Sequence, residues 1–296
     1  MAIDLQDVPK ERQTYAMCLA SVKANGRQLK FVREDCQTEE LCMLAIKQDA
    51  NALQYVPKRL QTAELCLTAV KINGWALAHV RKQTPEICLT AIKERPSALQ
   101  YVREQTDELC LEAVRKWGTT LSLVQNQTPE ICLEAVKQNG MALKYVKKQS
   151  PEICLEAVKQ DGWALEWVKE QTTEICLEAV KQKGSALADV ENQTPDICMA
   201  AVKQDGTALE YVKKQSSEIC LAAVKQTGWA LRYIPKREQT LPIAIAALKQ
   251  EPGSRKYLAA KFRTPEVYKA AGYDYRPEDL APSRSSKKRE RTEPIH

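Results

Sequence analysis

The sequence predicts an all-α protein, an α-solenoid of about eleven short helical hairpins with a period of 22–24 residues. Three observations predict it. Ten of the eleven cysteines recur in phase, at Cys18, Cys42, Cys66, Cys88, Cys110, Cys132, Cys154, Cys176, Cys198 and Cys220, in steps of 24, 24 and then 22 residues seven times. A hydroxyl stands four residues before each of them, from Thr14 to Ser216, and recurs at Thr240 and Thr264, where Ala244 and Tyr268 take the cysteine slot. Between hydroxyl and glycine the apolar residues keep a helical spacing. A hairpin this short cannot bury its apolar face alone, because nucleating a short helix is unfavourable, whereas stacked neighbours cover that face for one another.

The elements follow in order. Residues 1–13 are a lead-in, and the repeats occupy 14–272. One repeat reads QTPEICLEAVKQNGMALKYVKK, Gln127 to Lys148. Thr128 is a cap residue, Pro129 suits the first helical position, and Glu130 complements the positive helix end. Ile131, Cys132, Leu133, Ala135 and Val136 continue the helix, Lys137 falls in its last turn, and Gly140 is a stop signal. A second short helix is predicted to carry Met141, Ala142, Leu143, Tyr145 and Val146 on one arc, with Lys144 and Lys147 outside it, giving a hairpin of roughly 9 plus 8 residues. The longer repeats lie at both ends, with Pro57 and Pro235 ending or bending the second helix. Residues 273–296 are polar and aperiodic, which predicts a disordered basic tail. Its run Lys287, Lys288, Arg289 and Arg291 has the form of an import or nucleic-acid patch, diluted by Glu290 and Glu293.

Composition narrows the function. The two histidines are His79 and His296, so a histidine-based catalytic centre has little material. No phosphate loop, nucleophile elbow or zinc-protease motif is present, and the departures from the repeat, at His79, Trp117 and Asp189, fall in different repeats. The expectation is a protein that is not an enzyme and needs no cofactor or metal. Equivalent cysteines should lie about 9–10 Å apart, the helix-packing distance. A disulfide needs Cα atoms within roughly 7 Å and zinc needs ligands at about 2.3 Å, so the in-phase cysteines are core residues. Cys36, out of phase in REDCQT, is the expected exposed thiol. No apolar run approaches the roughly 20 residues of a membrane span, so no membrane partner is expected. Eleven cysteines behind a first segment without an apolar leader point to a reducing, cytoplasmic compartment.

Two surface patterns can bind a partner. A cation fills one slot in every repeat, including Lys137, Lys159, Lys181, Lys203 and Lys225. Each complements a helix C-terminus, worth ~0.3–1 kcal/mol, and together they form an alternative nucleic-acid track. The net charge of +6 is modest for that purpose. The second pattern is aromatic, with Tyr145, Trp167, Tyr211 and Tyr233 in one slot and Trp75, Trp163 and Trp229 four residues earlier in theirs. In an α-helix such pairs share a face. Trp and Tyr rows are the residues of protein interfaces, so a protein partner is the leading expectation. Gln13, Gln37, Gln61 and the glutamines that follow them in phase precede the caps, and predict a ladder that ties successive loops.

The segments Ala135–Tyr145, Ala157–Trp167 and Ala201–Tyr211 carry the pattern AVKQ[N/D]GxALx[Y/W]. It resembles a bacterial domain-of-unknown-function repeat built around "AVKxNGxALxY", found in intracellular bacteria and associated with their secreted effectors. The resemblance covers roughly Thr14 to Ala271. It implies a possible effector role, in host cytoplasm or nucleus if the protein is exported. It carries over no activity and no catalytic residues, since none is established for the family.

Overall fold

A ten-residue α-helix followed by a six-residue 3₁₀ helix is the structure each repeat forms. The computed structural model describes residues 4–274; the basic run at 287–291 and the tail beyond Asp274 lie outside the described residues. Among these residues no strand is present.

The α-helix follows from the sequence at each end. Thr128 Oγ1 accepts from Ile131 N at 3.3 Å, satisfying one of the backbone donors that a helix start leaves open. Ile131, Cys132, Ala135 and Val136 bury one face, while Leu133 and Glu134 are half-buried and Lys137 is exposed. The helix stops at Asn139, whose backbone turns extended (φ −153°) while its N–H still reaches the Ala135 carbonyl. Ten of the twelve predicted hydroxyl caps form this bond; Thr240 and Thr264 start their helices without it.

The second element differs from the expected α-helix. Gly140–Tyr145 is 3₁₀, opened by Asn139 Oδ1 accepting from Met141 N at 3.0 Å. Length gives a reason. Six residues at ~2.0 Å rise span about 12 Å as 3₁₀ but only about 9 Å as α, and the partner α-helix is about 15 Å long. The tighter winding lets six residues cover nearly the length of ten. The glycine also has another role than the expected stop signal. No repeat glycine among the described residues has a positive φ; that conformation occurs at Gly272. A Cβ on Gly74 would lie 2.4 Å from the Ala91 carbonyl oxygen of the next repeat, so glycine is there for close approach.

The chain divides into two compact units, Met1–Gln149 and Ser150–His296. The first holds short 3₁₀ turns at Leu5–Asp7 and Lys10–Arg12, then α1 (Tyr15–Ala24), α2 (Glu39–Gln48), α3 (Ala63–Ile72), α4 (Pro85–Glu94), α5 (Asp107–Lys116) and α6 (Pro129–Gln138). The second holds α7 (Pro151–Gln160), α8 (Thr173–Gln182), α9 (Pro195–Gln204), α10 (Ser217–Gln226), α11 (Leu241–Gln250) and the six-residue α12 (Pro265–Ala270). Within each unit α-helices pack on α-helices and 3₁₀ helices on 3₁₀ helices, with the core between the two layers. Ala142, Leu143 and Val146 close that core from the 3₁₀ side.

The glutamine ladder forms as expected. Gln127 Nε2 donates to the Tyr145 carbonyl at 2.9 Å and to Leu121 at 3.3 Å, and its Oε1 accepts from Lys147 N at 2.9 Å. Gln61, Gln83, Gln105 and Gln193 repeat the pattern, each taking the N–H twenty residues on. Twenty residues after Gln37 stands Pro57, which has no N–H, and Gln37 Oε1 is buried without a partner. Pro235 stands at the same distance from Gln215, whose Oε1 meets the Cys220 thiol at 3.6 Å.

Candidate functional site

The aromatic residues sit on the 3₁₀ layer. In the first compact unit Trp75 is 45% exposed. Its indole N–H donates to Ser97 Oγ at 2.9 Å, and the Arg95 guanidinium lies 4.6 Å above its ring. Tyr101 and Tyr145 are exposed at the last position of their 3₁₀ helices. In the second unit Trp163 is 38% exposed with Lys183 Nζ 5.1 Å from the ring, and Trp229 is 37% exposed with Lys256 Nζ at 5.0 Å. Tyr211 is exposed, while Trp167 and Tyr233 are half-buried. Each tryptophan of the Gly-Trp slot is thus covered on one side by a cation from the following repeat. Such contacts contribute ~0.5–1 kcal/mol at exposed sites and fix the ring before any partner arrives.

The 3₁₀ winding changes one geometric expectation. Residues four apart are offset by about a third of a turn at three residues per turn. Trp163 and Trp167, Trp75 and His79, and Trp229 and Tyr233 therefore do not lie one above the other. Contact runs across repeats instead, with the Trp229 and Tyr257 rings edge to face at 6.2 Å. Asp189, which interrupts the aromatic slot, is half-buried; burial and, second, Glu166 raise its carboxyl above the usual aspartate range.

The cation row lies on the α layer and every member is exposed. Its surroundings vary. In the first unit Glu134 Oε2 pairs with Arg115 Nε at 3.0 Å and Glu134 Oε1 with Lys137 Nζ at 3.7 Å. In the second unit Glu178 pairs with Lys181 at 2.7 Å, and Lys159 has Glu156 three residues before it. In α9, α10 and α11 that preceding slot holds Ala200, Ala222 and Ala246. Among the described residues no carboxylate lies within 4.0 Å of Lys203, Lys225 or Lys249. The half-buried Met199, Leu221 and Ile245 precede those alanines, so α9–α11 present an apolar face edged by three cations.

A second glutamine ladder was not read from the sequence. Gln204 Oε1 accepts from Gly184 N at 2.6 Å and Gln226 Oε1 from Gly206 N at 2.7 Å, while their amides donate to the Gln182 and Gln204 carbonyls. The signal was available, since Gln138, Gln160, Gln182, Gln204 and Gln226 each follow the row lysine. These residues tie the α-helix C-termini together, so the lysines beside them are left to face outward.

The in-phase cysteines are buried, and burial raises their thiols, to about 11 at Cys42, Cys110 and Cys220. Two grooves reach toward this row. One of about 490 Å³ lies between Pro195 and Ser216 with Cys198 and Lys213 in its lining, and one of about 340 Å³ lies between Pro85 and Thr106 with Cys88 and Arg103. Cys36, expected in an exposed loop, ends the short 3₁₀ helix Glu34–Cys36 and is half-buried. Among the described residues no group of three or more His, Cys, Asp or Glu is placed to hold a metal ion, and no helix is long and apolar enough to cross a membrane.

The family described as "Domain of unknown function (DUF4116)" matches at 17–61, 62–106, 128–173, 151–194, 172–215 and 194–238. The chain belongs to the DUF4116 family. Each match spans two consecutive repeats, so the family's unit is a pair of α–3₁₀ hairpins. Residues 107–127 fall between the matches, and there Trp117 stands in a slot that holds a polar or charged residue in every other repeat. No curated protein and no solved structure matches the chain.

Proposed function

We propose that the chain is a non-enzymatic scaffold that binds a protein partner. The observation that carries this reading is the set of exposed aromatic side chains on the 3₁₀ layer of each compact unit, with Trp75 in the first and Trp163 and Trp229 in the second held by cations of the next repeat. Repeat arrays present extended surfaces of this kind, and Trp and Tyr supply most binding energy at protein interfaces. Tyr145 and Tyr211 extend the row in their own units, and Trp167 and Tyr233 support it from half-buried positions. The free, buried thiols suit a reducing compartment. That compartment is the cytoplasm, or host cytoplasm or nucleus if the protein is a secreted effector.

The test is crosslinking and affinity capture with the triple variant Trp163→Ala, Trp167→Ala, Trp229→Ala. A partner captured by the native chain should be lost by a variant whose far-ultraviolet circular dichroism is unchanged. Equal capture by the folded variant overturns the aromatic reading. A second reading, nucleic-acid backbone binding, is favoured by the unneutralised Lys203, Lys225 and Lys249. It requires log affinity to fall by ~0.7–0.9 per phosphate contact with log salt, and no retention of DNA or RNA at low salt removes it.

A further inference from the structure

The helices α9, α10 and α11 pack side by side in the second compact unit. On each helix, residues three and four apart share a face. The outer face runs from Met199 and Ala200 to Lys203 in α9, from Leu221 and Ala222 to Lys225 in α10, and from Ile245 and Ala246 to Lys249 in α11. Met199, Leu221 and Ile245 are half-buried and the three lysines are exposed. Leu241, four residues before Ile245, is 48% exposed and lengthens the apolar strip on α11. The chain leaves these charges unneutralised on both sides. Alanine stands where Glu134 and Glu178 pair with Lys137 and Lys181. The acids that follow α9 and α11 cap the 3₁₀ layer instead: Asp205 Oδ1 accepts from Thr207 N at 2.9 Å, and Glu251 Oε1 accepts from Gly253 N at 3.3 Å. The residue in that place after α10 is the uncharged Thr227. The remaining carboxylates of the three helices, Asp196 and Glu218, stand seven residues before Lys203 and Lys225, about 10 Å along the helix axis.

We propose that α9–α11 dock an amphipathic α-helix of a partner protein, whose acidic edge meets Lys203, Lys225 and Lys249 and whose apolar residues cover Met199, Leu221 and Ile245. Charge complementarity selects the acids. The layer selects a helix. The backbone groups of α9–α11 are bonded within the helices, and at the C-terminal ends the Gln182, Gln204 and Gln226 carbonyls accept from the glutamine amides of the next repeat. They offer no edge to an extended segment, so a segment laid on this apolar strip must bond its own backbone. Spacing selects the register. Packed helices lie ~8–10 Å apart and two turns of an α-helix rise ~10.8 Å, so an acid at every seventh position falls opposite successive lysines. The same lysines would serve a nucleic-acid backbone, but its phosphates would meet the apolar strip and then Asp196 and Glu218 beyond it. The surface lies on the α layer, across the core from the aromatic side chains of the 3₁₀ layer, and is independent of them.

The test uses the full chain and a synthetic, labelled peptide of about three heptads. The peptide carries one glutamate per heptad, a leucine three residues after each, and alanine and glutamine elsewhere. Fluorescence anisotropy should show saturable binding, and circular dichroism should show the peptide gaining helix as it binds. A peptide of the same composition with its glutamates irregularly placed should bind about tenfold more weakly or worse. Ala200→Glu with Ala222→Glu adds ion pairs within the helices and so keeps the fold; it should weaken the regular peptide by about tenfold. The triple reversal Lys203→Glu, Lys225→Glu, Lys249→Glu should lose that peptide and bind its lysine counterpart. The variant Trp163→Ala, Trp167→Ala, Trp229→Ala should bind the peptide as the native chain does, which separates failure of this proposal from failure of the aromatic reading. No binding by the native chain, equal binding of the irregular peptide, or undiminished binding by the folded Ala200→Glu, Ala222→Glu variant would each overturn the proposal. A DNA or RNA oligonucleotide that binds the native chain more tightly than the peptide and is lost in the same variants would assign the row to nucleic acid instead.

Discussion

The α6 helix of the first unit and the α9–α11 helices of the second have the same length, a hydroxyl residue at the cap position and the same row lysine, yet they show opposite outer faces. Beside Lys137 the slot three residues earlier holds Glu134, which pairs with Lys137 and with Arg115. Beside Lys203, Lys225 and Lys249 the slot holds alanine. The difference separates two roles that one residue type can play. A cation in the last turn complements the helix dipole in every repeat, so its recurrence needs no ligand. Whether it also projects a field is decided by its neighbour, and only the alanine-lined helices of this pair leave the charge available to an acidic partner.

The largest expected effect removes what the two regions share. Leu143→Ala and Leu209→Ala delete fully buried side chains of the 3₁₀ layer and should each cost ~2–5 kcal/mol. Because each lies in a different compact unit, each should lower one part of a thermal unfolding curve more than the other. Equal effects of both substitutions on a single transition would show that the units unfold as one.

The next largest effect tests the ladder. Gln105→Leu strands the Gln125 N–H and two carbonyls, and should cost ~1–3 kcal/mol in a urea titration. Gln37→Leu should cost clearly less, because Pro57 has already left its Oε1 without a donor. Equal costs would show that the ladder's stability resides in the amide donors alone.

A third experiment exchanges the outer faces. Ala200→Glu with Ala222→Glu should add ~0.3–0.5 kcal/mol of stability per new pair. It should also weaken binding of a poly-glutamate peptide by about tenfold, equivalent to ~1.4 kcal/mol. Glu134→Ala should move peptide binding the other way. Unchanged binding in both variants would show that the acidic peptide is not held by this row.

The smallest effect is a pH dependence. The Asp189 carboxyl is raised by burial, so folding favours its protonated form. Its contribution is fully present below the unfolded-state value and is lost as pH rises through the folded value. Asp189→Asn should therefore raise the melting temperature at neutral pH, and the gain should vanish on acidification below the ordinary aspartate range. A gain independent of pH would assign the effect to packing.

The hydroxyl caps, the buried cysteines and the first glutamine ladder were legible because each repeats in phase and each has a single local explanation. The 3₁₀ helix was not, because Ala142, Leu143 and Val146 give the same apolar pattern in either winding; the number of residues available to span the layer favours one. Gly140 reads as a stop signal because sequence shows what glycine permits and not what approaches it, as the Ala91 carbonyl does at the equivalent Gly74. The partner surface was legible as residue types, but the pairing of Trp75 with Arg95, or Trp163 with Lys183, joins positions twenty residues apart in different repeats.

The missing rungs at Pro57 and Pro235 bear on how long such an array can be. Each ladder glutamine asks only for an N–H twenty residues later, and any 22-residue repeat supplies one. Within either compact unit, gain or loss of one such repeat between the prolines leaves every remaining glutamine with a donor at the same distance. A copy inserted so that proline fell opposite another glutamine would deprive a further glutamine oxygen of its backbone donor. The two prolines therefore act as end markers for copy number, between which repeats can be duplicated or deleted in whole 22-residue steps without a hydrogen-bond penalty.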